Sequence, residues 1–92
     1  MELKFEWDEE KNQLNIEKHG ISFETAKYVF ADEDYIEIYD ESHSLIEDRY
    51  LVIGCVEDVL FVVYTERGEY IRLISARIAT DKERKLYYDS KR

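Results

Sequence analysis

Val59-Leu60-Phe61-Val62-Val63-Tyr64-Thr65-Glu66-Arg67-Gly68-Glu69-Tyr70-Ile71-Arg72-Leu73-Ile74-Ser75-Ala76-Arg77-Ile78 reads as two strands joined by a tight turn. β-Branched and aromatic residues dominate both halves, and glycine at 68 tolerates the positive φ of a short hairpin. With Arg67-Gly68 as the turn, Tyr64 is expected to oppose Ile71, Val62 to oppose Leu73 and Leu60 to oppose Ser75. That face is almost wholly apolar and belongs under helices. The other face sets Phe61, Val63 and Thr65 against Ile74, Arg72 and Tyr70. It mixes an apolar floor with Thr65 and Arg72 and is the better substrate surface, with Arg67 leaning over it from the turn. Arg77 follows Arg72 by five residues, an odd number, so a regular strand aims it the opposite way. A bulge, or the end of the strand, is needed to bring the two together.

Working outward, Tyr35–Tyr39 and Arg49–Val56 read as two further strands, with a turn at Glu57-Asp58 before Val59. Leu3, Phe5 and Trp7 alternate with charged residues as a short opening strand. Asp8 is placed to cap a helix with Glu9 and Glu10 in its first turn, Lys18 and His19 in its last, and Gly20 to stop it. Ser22 caps a second helix whose Phe23, Ala26, Val29 and Phe30 share one face. Thr80 and Glu83 form a capping box that opens a last helix, with Leu86 and Tyr87 toward the sheet. The expected order is β-α-α-β-β-β-β-α. This is an α+β fold: a single small domain over residues 1–92, with an antiparallel meander, two N-terminal helices and one C-terminal helix.

Charge is divided along the chain. Residues 1–66 hold 18 Asp/Glu against 5 Lys/Arg, whereas residues 67–92 hold 4 against 8, within a net charge of −9. The acidic body argues against general coating of nucleic acid or anionic membrane, and the basic third suits a local site or one specific partner. Cys55, the one cysteine, lies in an apolar run and has no partner for an internal disulfide, which fits a reducing cytosol. The start, Met1 to Trp7, lacks the basic-then-apolar pattern of a signal peptide, and no apolar run approaches the ~20 residues of a membrane span. A cytoplasmic protein is expected. His19 and His43 lie far apart with no cysteine pair, Asp32-Glu33-Asp34 lacks calcium-loop spacing, and three glycines form no phosphate loop. No metal and no cofactor are expected.

The residues also carry a family pattern. Phe5-x-Trp7-Asp8-x-x-Lys11-x-x-x-Asn15-x-x-Lys18-His19-Gly20-Ile21-Ser22-Phe23-Glu24-x-Ala26-x-x-Val29-Phe30-x-Asp32 resembles the opening of BrnT-type toxins of bacterial type II toxin–antitoxin pairs. Asp40-x-x-His43-Ser44-x-x-Glu47-x-Arg49 and Thr65-x-Arg67-x-x-x-Ile71-Arg72-x-Ile74-Ser75-Ala76-Arg77-x-Ala79-x-x-x-Glu83-Arg84-x-x-Tyr87 continue it. The resemblance implies a RelE-like ribonuclease fold, a metal-independent endoribonuclease, and a BrnA-type antitoxin with a ribbon-helix-helix DNA-binding region. The chain would then contact DNA only through that antitoxin, in a toxin–antitoxin hetero-oligomer.

RNA cut without metal needs a base for its 2′-OH, stabilisation of the phosphorane and a proton for the 5′-oxygen. Arg67, Arg72 and Arg77, with Arg49 from the neighbouring strand, suit the phosphorane, and the resemblance supports all four. Their plainer role is pairing with the many carboxylates. For proton transfer, Glu47 lies two residues from Arg49, His19 ends a helix and His43 lies in a polar loop. The residues leave that choice open. Thr65, Tyr70 and His19 are further candidates for RNA contact. Two other functions remain: a toxin-like binding module that holds a basic DNA-binding antitoxin without useful catalysis, and, more weakly, an acidic mimic of nucleic acid.

Overall fold

The alternating segments assemble into one sheet. In a computed structural model that describes residues 2–91, β1 (Lys4–Glu6) leads to α1 (Glu9–His19) and then α2 (Phe23–Ala26), which tightens into a 3₁₀ turn over Lys27–Ala31. β2 (Ile36–Tyr39), a 3₁₀ turn (Glu41–His43), β3 (Arg49–Val56), β4 (Asp58–Arg67), β5 (Tyr70–Ile78) and α3 (Asp81–Ser90) follow. The sheet order is β1-β5-β4-β3-β2. β2 to β5 form the antiparallel meander, and β1 joins β5 in parallel, so the sheet is mixed.

The helix ends follow their local chemistry. The Asp8 carboxylate accepts the backbone N–H groups of Glu10 and Lys11, and Gly20 stops α1 at φ 72°. Ser22 accepts the N–H of Thr25, and Thr80 with Glu83 completes a reciprocal capping box. The three N-terminal caps satisfy donors that a helix start leaves open, and the Gly20 N–H donates to the Ile16 carbonyl at the end of α1.

The hairpin register departs from expectation. Arg67 pairs with Tyr70, so the turn is Gly68-Glu69, with Gly68 at φ 58°. Tyr64 opposes Leu73, not Ile71; Val62 opposes Ala76, not Leu73; Leu60 opposes Ile78, not Ser75. The first pair reflects the displaced turn. The others also contain a bulge between Val63 and Tyr64, where Ile74 is the extra residue on β5. A bulge inverts the alternation beyond it, so Ser75 and Arg77 turn to the face that carries Arg72.

Two apolar clusters lie on opposite sides of the sheet. Phe23, Ala26 and Val29 pack with Val52, Leu60, Val62, Tyr64, Leu73 and Ala76 on one side. On the other, Tyr87 of α3 packs with Ile53, Val59 and Ala79, beside Phe61 and Ile36. Tyr87 is buried as expected, and Leu86, 47% exposed, borders an open groove with Ile38, Ile53 and Phe61 of the sheet. α1 contributes two buried asparagines instead of an apolar stripe. Asn15 donates both amide hydrogens, to the carbonyls of Ile21 and Ala76 at 2.8 Å each, and its Oδ1 accepts from the Ala76 N–H at 3.1 Å. β1 pairs β5 only at Tyr70–Arg72, and this amide closes the edge beyond it. Asn12 accepts the N–H of Phe23 at 2.8 Å and so fixes α1 to α2.

Candidate active site

Cross-strand partners share a sheet face, so the register arranges the face opposite α1 and α2 as a grid. Its central row runs Arg49, Thr65, Arg72, Glu6 across β3, β4, β5 and β1. The row beyond it, toward the hairpin turn, carries Arg67, Tyr70 and Lys4. The row on the other side holds Leu51, Val63 and Ser75, and the next holds Ile53, Phe61 and Arg77. With strands about 4.8 Å apart, Arg49 and Arg72 start roughly 10 Å from each other. Arg77, level with a position four residues back on β4, starts about 13 Å further along the sheet.

The four arginines share a face but not a state. Arg72 pairs with Glu6 at 2.8 Å, a contact that the parallel docking of β1 creates. Arg77 forks Glu83 at 2.8 and 2.9 Å, donates to the Ile78 carbonyl, and stacks 4.1 Å from the Phe61 ring centre. That fork holds Glu83 below the usual carboxylate range, against the upward push of burial. Arg77 thus ties α3 to the sheet. Arg67 is exposed near the turn, with Glu47 at 4.0 Å. Arg49 is half-buried and is the one described arginine with no carboxylate at ion-pair distance.

Arg49 lies in a groove of about 400 Å³ whose floor includes Leu51, Val63 and Phe61. Asp40 and His43 line the same groove. Nδ1 of His43 is 2.8 Å from Asp40 Oδ2, and Ser42 Oγ donates to Asp40 Oδ1 at 2.9 Å. Burial pushes the Asp40 carboxyl up, but its hydrogen bonds with Ser42 and His43 outweigh this and hold it below its ordinary value. A carboxylate on one imidazole nitrogen orients the ring and leaves the other nitrogen to exchange a proton. The loop holding the pair is itself anchored: Ser44 Oγ donates to the Asp40 carbonyl at 2.6 Å and accepts the Arg49 N–H at 2.9 Å.

The other expected residues are placed differently. Thr65 is buried and its hydroxyl donates to the Asp48 carbonyl, so it braces the loop and offers nothing to a ligand. Tyr70 is exposed in the outer row beside Lys4. Glu47 is half-buried beside Arg67. His19 is not brought to the arginines. It ends α1 next to Gly20, which borders Glu57 and Asp58 at the sheet end opposite the Gly68 turn. Sequence reasoning passed over the Asp40–His43 pair, although its i,i+3 spacing was visible; what it lacked was the fold that sets the loop beside Arg49. Leu45 and Ile46, 94% and 99% exposed, add an apolar lip near Glu47. Among the described residues, no three His, Cys, Asp or Glu side chains are grouped to hold a metal.

The family model for "Ribonuclease toxin, BrnT, of type II toxin-antitoxin system" matches residues 7–83. The chain belongs to the BrnT family. The crystal structure of the Brucella abortus ribonuclease toxin BrnT superposes with a TM-score of 0.69 at 26% identity, over 87% of this chain and all of that one. No curated protein sequence matches. For a BrnT-family chain, a type II system supplies an antitoxin as partner, and ribonuclease is the activity class. No helix among the described residues is long and apolar enough to cross a membrane.

Proposed function

We propose that this chain is a cytoplasmic endoribonuclease toxin that cuts RNA through its own 2′-OH, in the RelE-like manner, and is neutralised by a BrnA-type ribbon-helix-helix antitoxin. The observation that carries the reading is the groove in which an unpaired Arg49 stands beside the Asp40–His43 pair. Nε2 of His43 takes the 2′-OH proton, the 2′-oxygen attacks phosphorus, and Arg49 donates to the non-bridging oxygens as charge builds there. The 5′-oxygen leaves with its bonding electrons and takes a proton from water, while His43 returns the 2′-OH proton to solvent. The products are a 2′,3′-cyclic phosphate and a 5′-hydroxyl, and the atoms balance without metal or cofactor. Arg67 and Arg72 flank the path of the RNA strand, with Tyr70 and Lys4 at its outer edge. Leu51, Val63 and Phe61 give the base an apolar floor.

The ion pairs of Arg72 and Arg77 favour a second reading, a toxin-like module that holds its antitoxin with little catalysis. Turnover of an oligoribonucleotide separates the two. In the nuclease reading, Arg49→Ala lowers kcat/KM by about a hundredfold or more and Arg49→Lys restores part of it, because lysine keeps charge but not the planar fork. His43→Gln lowers kcat while leaving RNA affinity within about threefold. Folded wild type that turns nothing over, ribosomes included, leaves the binding module.

A further inference from the structure

The face of the sheet that carries α1 and α2 is not fully covered. Beyond the helices its strands carry a strip of tyrosines, exposed at Tyr39, half-buried at Tyr50 and running inward to the buried Tyr64. Tyr39, Tyr50 and Tyr64 are cross-strand partners on β2, β3 and β4, with ring centres 5.6 and 5.2 Å apart. Tyr64 continues to Phe30 at 5.2 Å, and Phe30 to Phe5 at 5.5 Å. There the strip opens into a groove of about 600 Å³ bordered by Leu3 and Tyr28, which are 48% and 54% exposed. The outer end is open too, since Tyr39 is 46% exposed.

Each tyrosine hydroxyl of the strip is matched to its own carboxylate. Tyr39 donates to Asp48 at 2.9 Å, Tyr64 donates to Glu37, and Glu66 lies beside the Tyr50 hydroxyl. None of these three carboxylates has a cationic side chain at ion-pair distance among the described residues. The arginine face differs, because Arg67, Arg72 and Arg77 each have a carboxylate there. Strand alternation therefore separates charge by face: β3 presents Tyr50 to one side and Arg49 to the other, and Asp48, just before the strand, turns to Tyr39 on the tyrosine side.

A phosphate chain is repelled by three unpaired carboxylates, and a purely apolar partner would bury them unpaired at high cost. Arginine satisfies both features, stacking its guanidinium on a tyrosine ring while donating to the neighbouring carboxylate. We propose that Tyr39 and Tyr50, backed by the buried Tyr64 and ringed by Glu37, Asp48 and Glu66, form the docking surface for an arginine-containing segment of a partner protein, whose apolar side chains enter the Leu3–Tyr28 groove. Naming that partner as the antitoxin rests on the reading above. The surface itself lies on the opposite face from the catalytic groove, so a protein bound there leaves Arg49 open unless it also wraps the sheet edge at β2.

The test uses the whole chain and a labelled, roughly ten-residue peptide with arginines spaced by leucine and serine, read by fluorescence anisotropy and amide chemical shifts. The wild type is expected to bind, with shifts centred on Tyr39, Tyr50 and Glu66. Glu37→Gln/Asp48→Asn/Glu66→Gln is expected to weaken binding by at least about tenfold. The control Glu10→Gln/Glu17→Gln/Glu33→Gln removes the same charge from exposed positions elsewhere and should change affinity by less than about twofold. Tyr39→Ala, at a half-exposed position that leaves the core intact, is expected to weaken binding about threefold or more. Equal weakening by both triple variants would reduce the effect to diffuse charge and overturn the proposal. So would shifts confined to the arginine face, or self-association of the wild type through this strip that the peptide does not compete away. RNA turnover is measured on the same proteins: peptide binding without turnover removes the nuclease and leaves the surface standing, and the converse removes only the surface.

Discussion

Asn15→Ala should be among the most destabilising substitutions in the chain, although alanine is the better helix former. The Asn15 amide makes three hydrogen bonds, two as donor to the carbonyls of Ile21 and Ala76 and one as acceptor from the Ala76 N–H. The side chain is only 7% exposed, so water cannot replace it. At about 1 kcal/mol net per bond, with backbone groups left unsatisfied in the protein interior, the loss is about 3 kcal/mol or more. The gain in helix propensity returns only a few tenths of a kcal/mol. For a domain of this size that corresponds to a Tm lower by about 12–24 °C. Urea unfolding monitored by circular dichroism reads it directly, as a lower midpoint at unchanged m. Asn15→Asp is the sharper variant: it keeps the acceptor for Ala76 N–H but aims carboxylate oxygen at two carbonyls, and should cost at least as much. Leu14→Ala, at a 62% exposed neighbour, should stay within about 0.5 kcal/mol. An Asn15→Ala loss below about 1 kcal/mol, or an Asn15→Asp protein as stable as wild type, would refute the edge-closing role.

Gly54→Ala should cost about 1–3 kcal/mol in the same assay, because the added Cβ would meet Val29 Cβ at 3.0 Å and its carbonyl oxygen at 3.1 Å. In an alkaline spectrophotometric titration, Tyr64 and Tyr87, of eight tyrosines, should stay protonated until the fold melts. Burial first, then hydrogen bonds to Glu37 and Asp32, raise both phenols. Their stabilisation is complete below the free-chain pKa of about 10 and is lost as pH rises beyond it. Glu83 runs the other way: the Arg77 fork lowers its pKa, so its contribution is present above the free-chain value and lost as pH falls through the folded one. Glu83→Gln should therefore destabilise at neutral pH by about 1 kcal/mol after solvent screening, and by much less near pH 3, in urea melts across pH.

The helices were legible because their ends are local. Asp8, Gly20, Ser22, Thr80 and Glu83 act within four residues of the turns they close, and each does what its position in the chain implies. The meander was legible from alternation and turn residues. The register beyond Val63 was not. Ile74 bulges between Leu73 and Ser75 in a strand-like segment, and no glycine or proline marks it. That single residue decides whether Arg77 joins Arg72 on one face. The asparagines of α1 were hidden for a different reason: hydrophobic periodicity registers apolar burial, and α1 buries amides. The site was half legible. The arginines could be named, but Arg72's partner Glu6 arrives through the parallel pairing of β1, 66 residues away in sequence. His43 is the exposed loop residue that its polar neighbours imply, but its place beside Arg49 depends on β2 and β3 pairing around that loop.

The most direct test is to identify the ends of the products when purified wild-type protein meets a defined oligoribonucleotide in EDTA, beside Arg49→Ala and a DNA oligomer of the same sequence. The account predicts 2′,3′-cyclic phosphate and 5′-hydroxyl ends from the wild type, no cutting of the DNA, and a loss of at least about a hundredfold with Arg49→Ala. Cutting of the DNA as well, or Arg49→Ala activity equal to wild type, would contradict it.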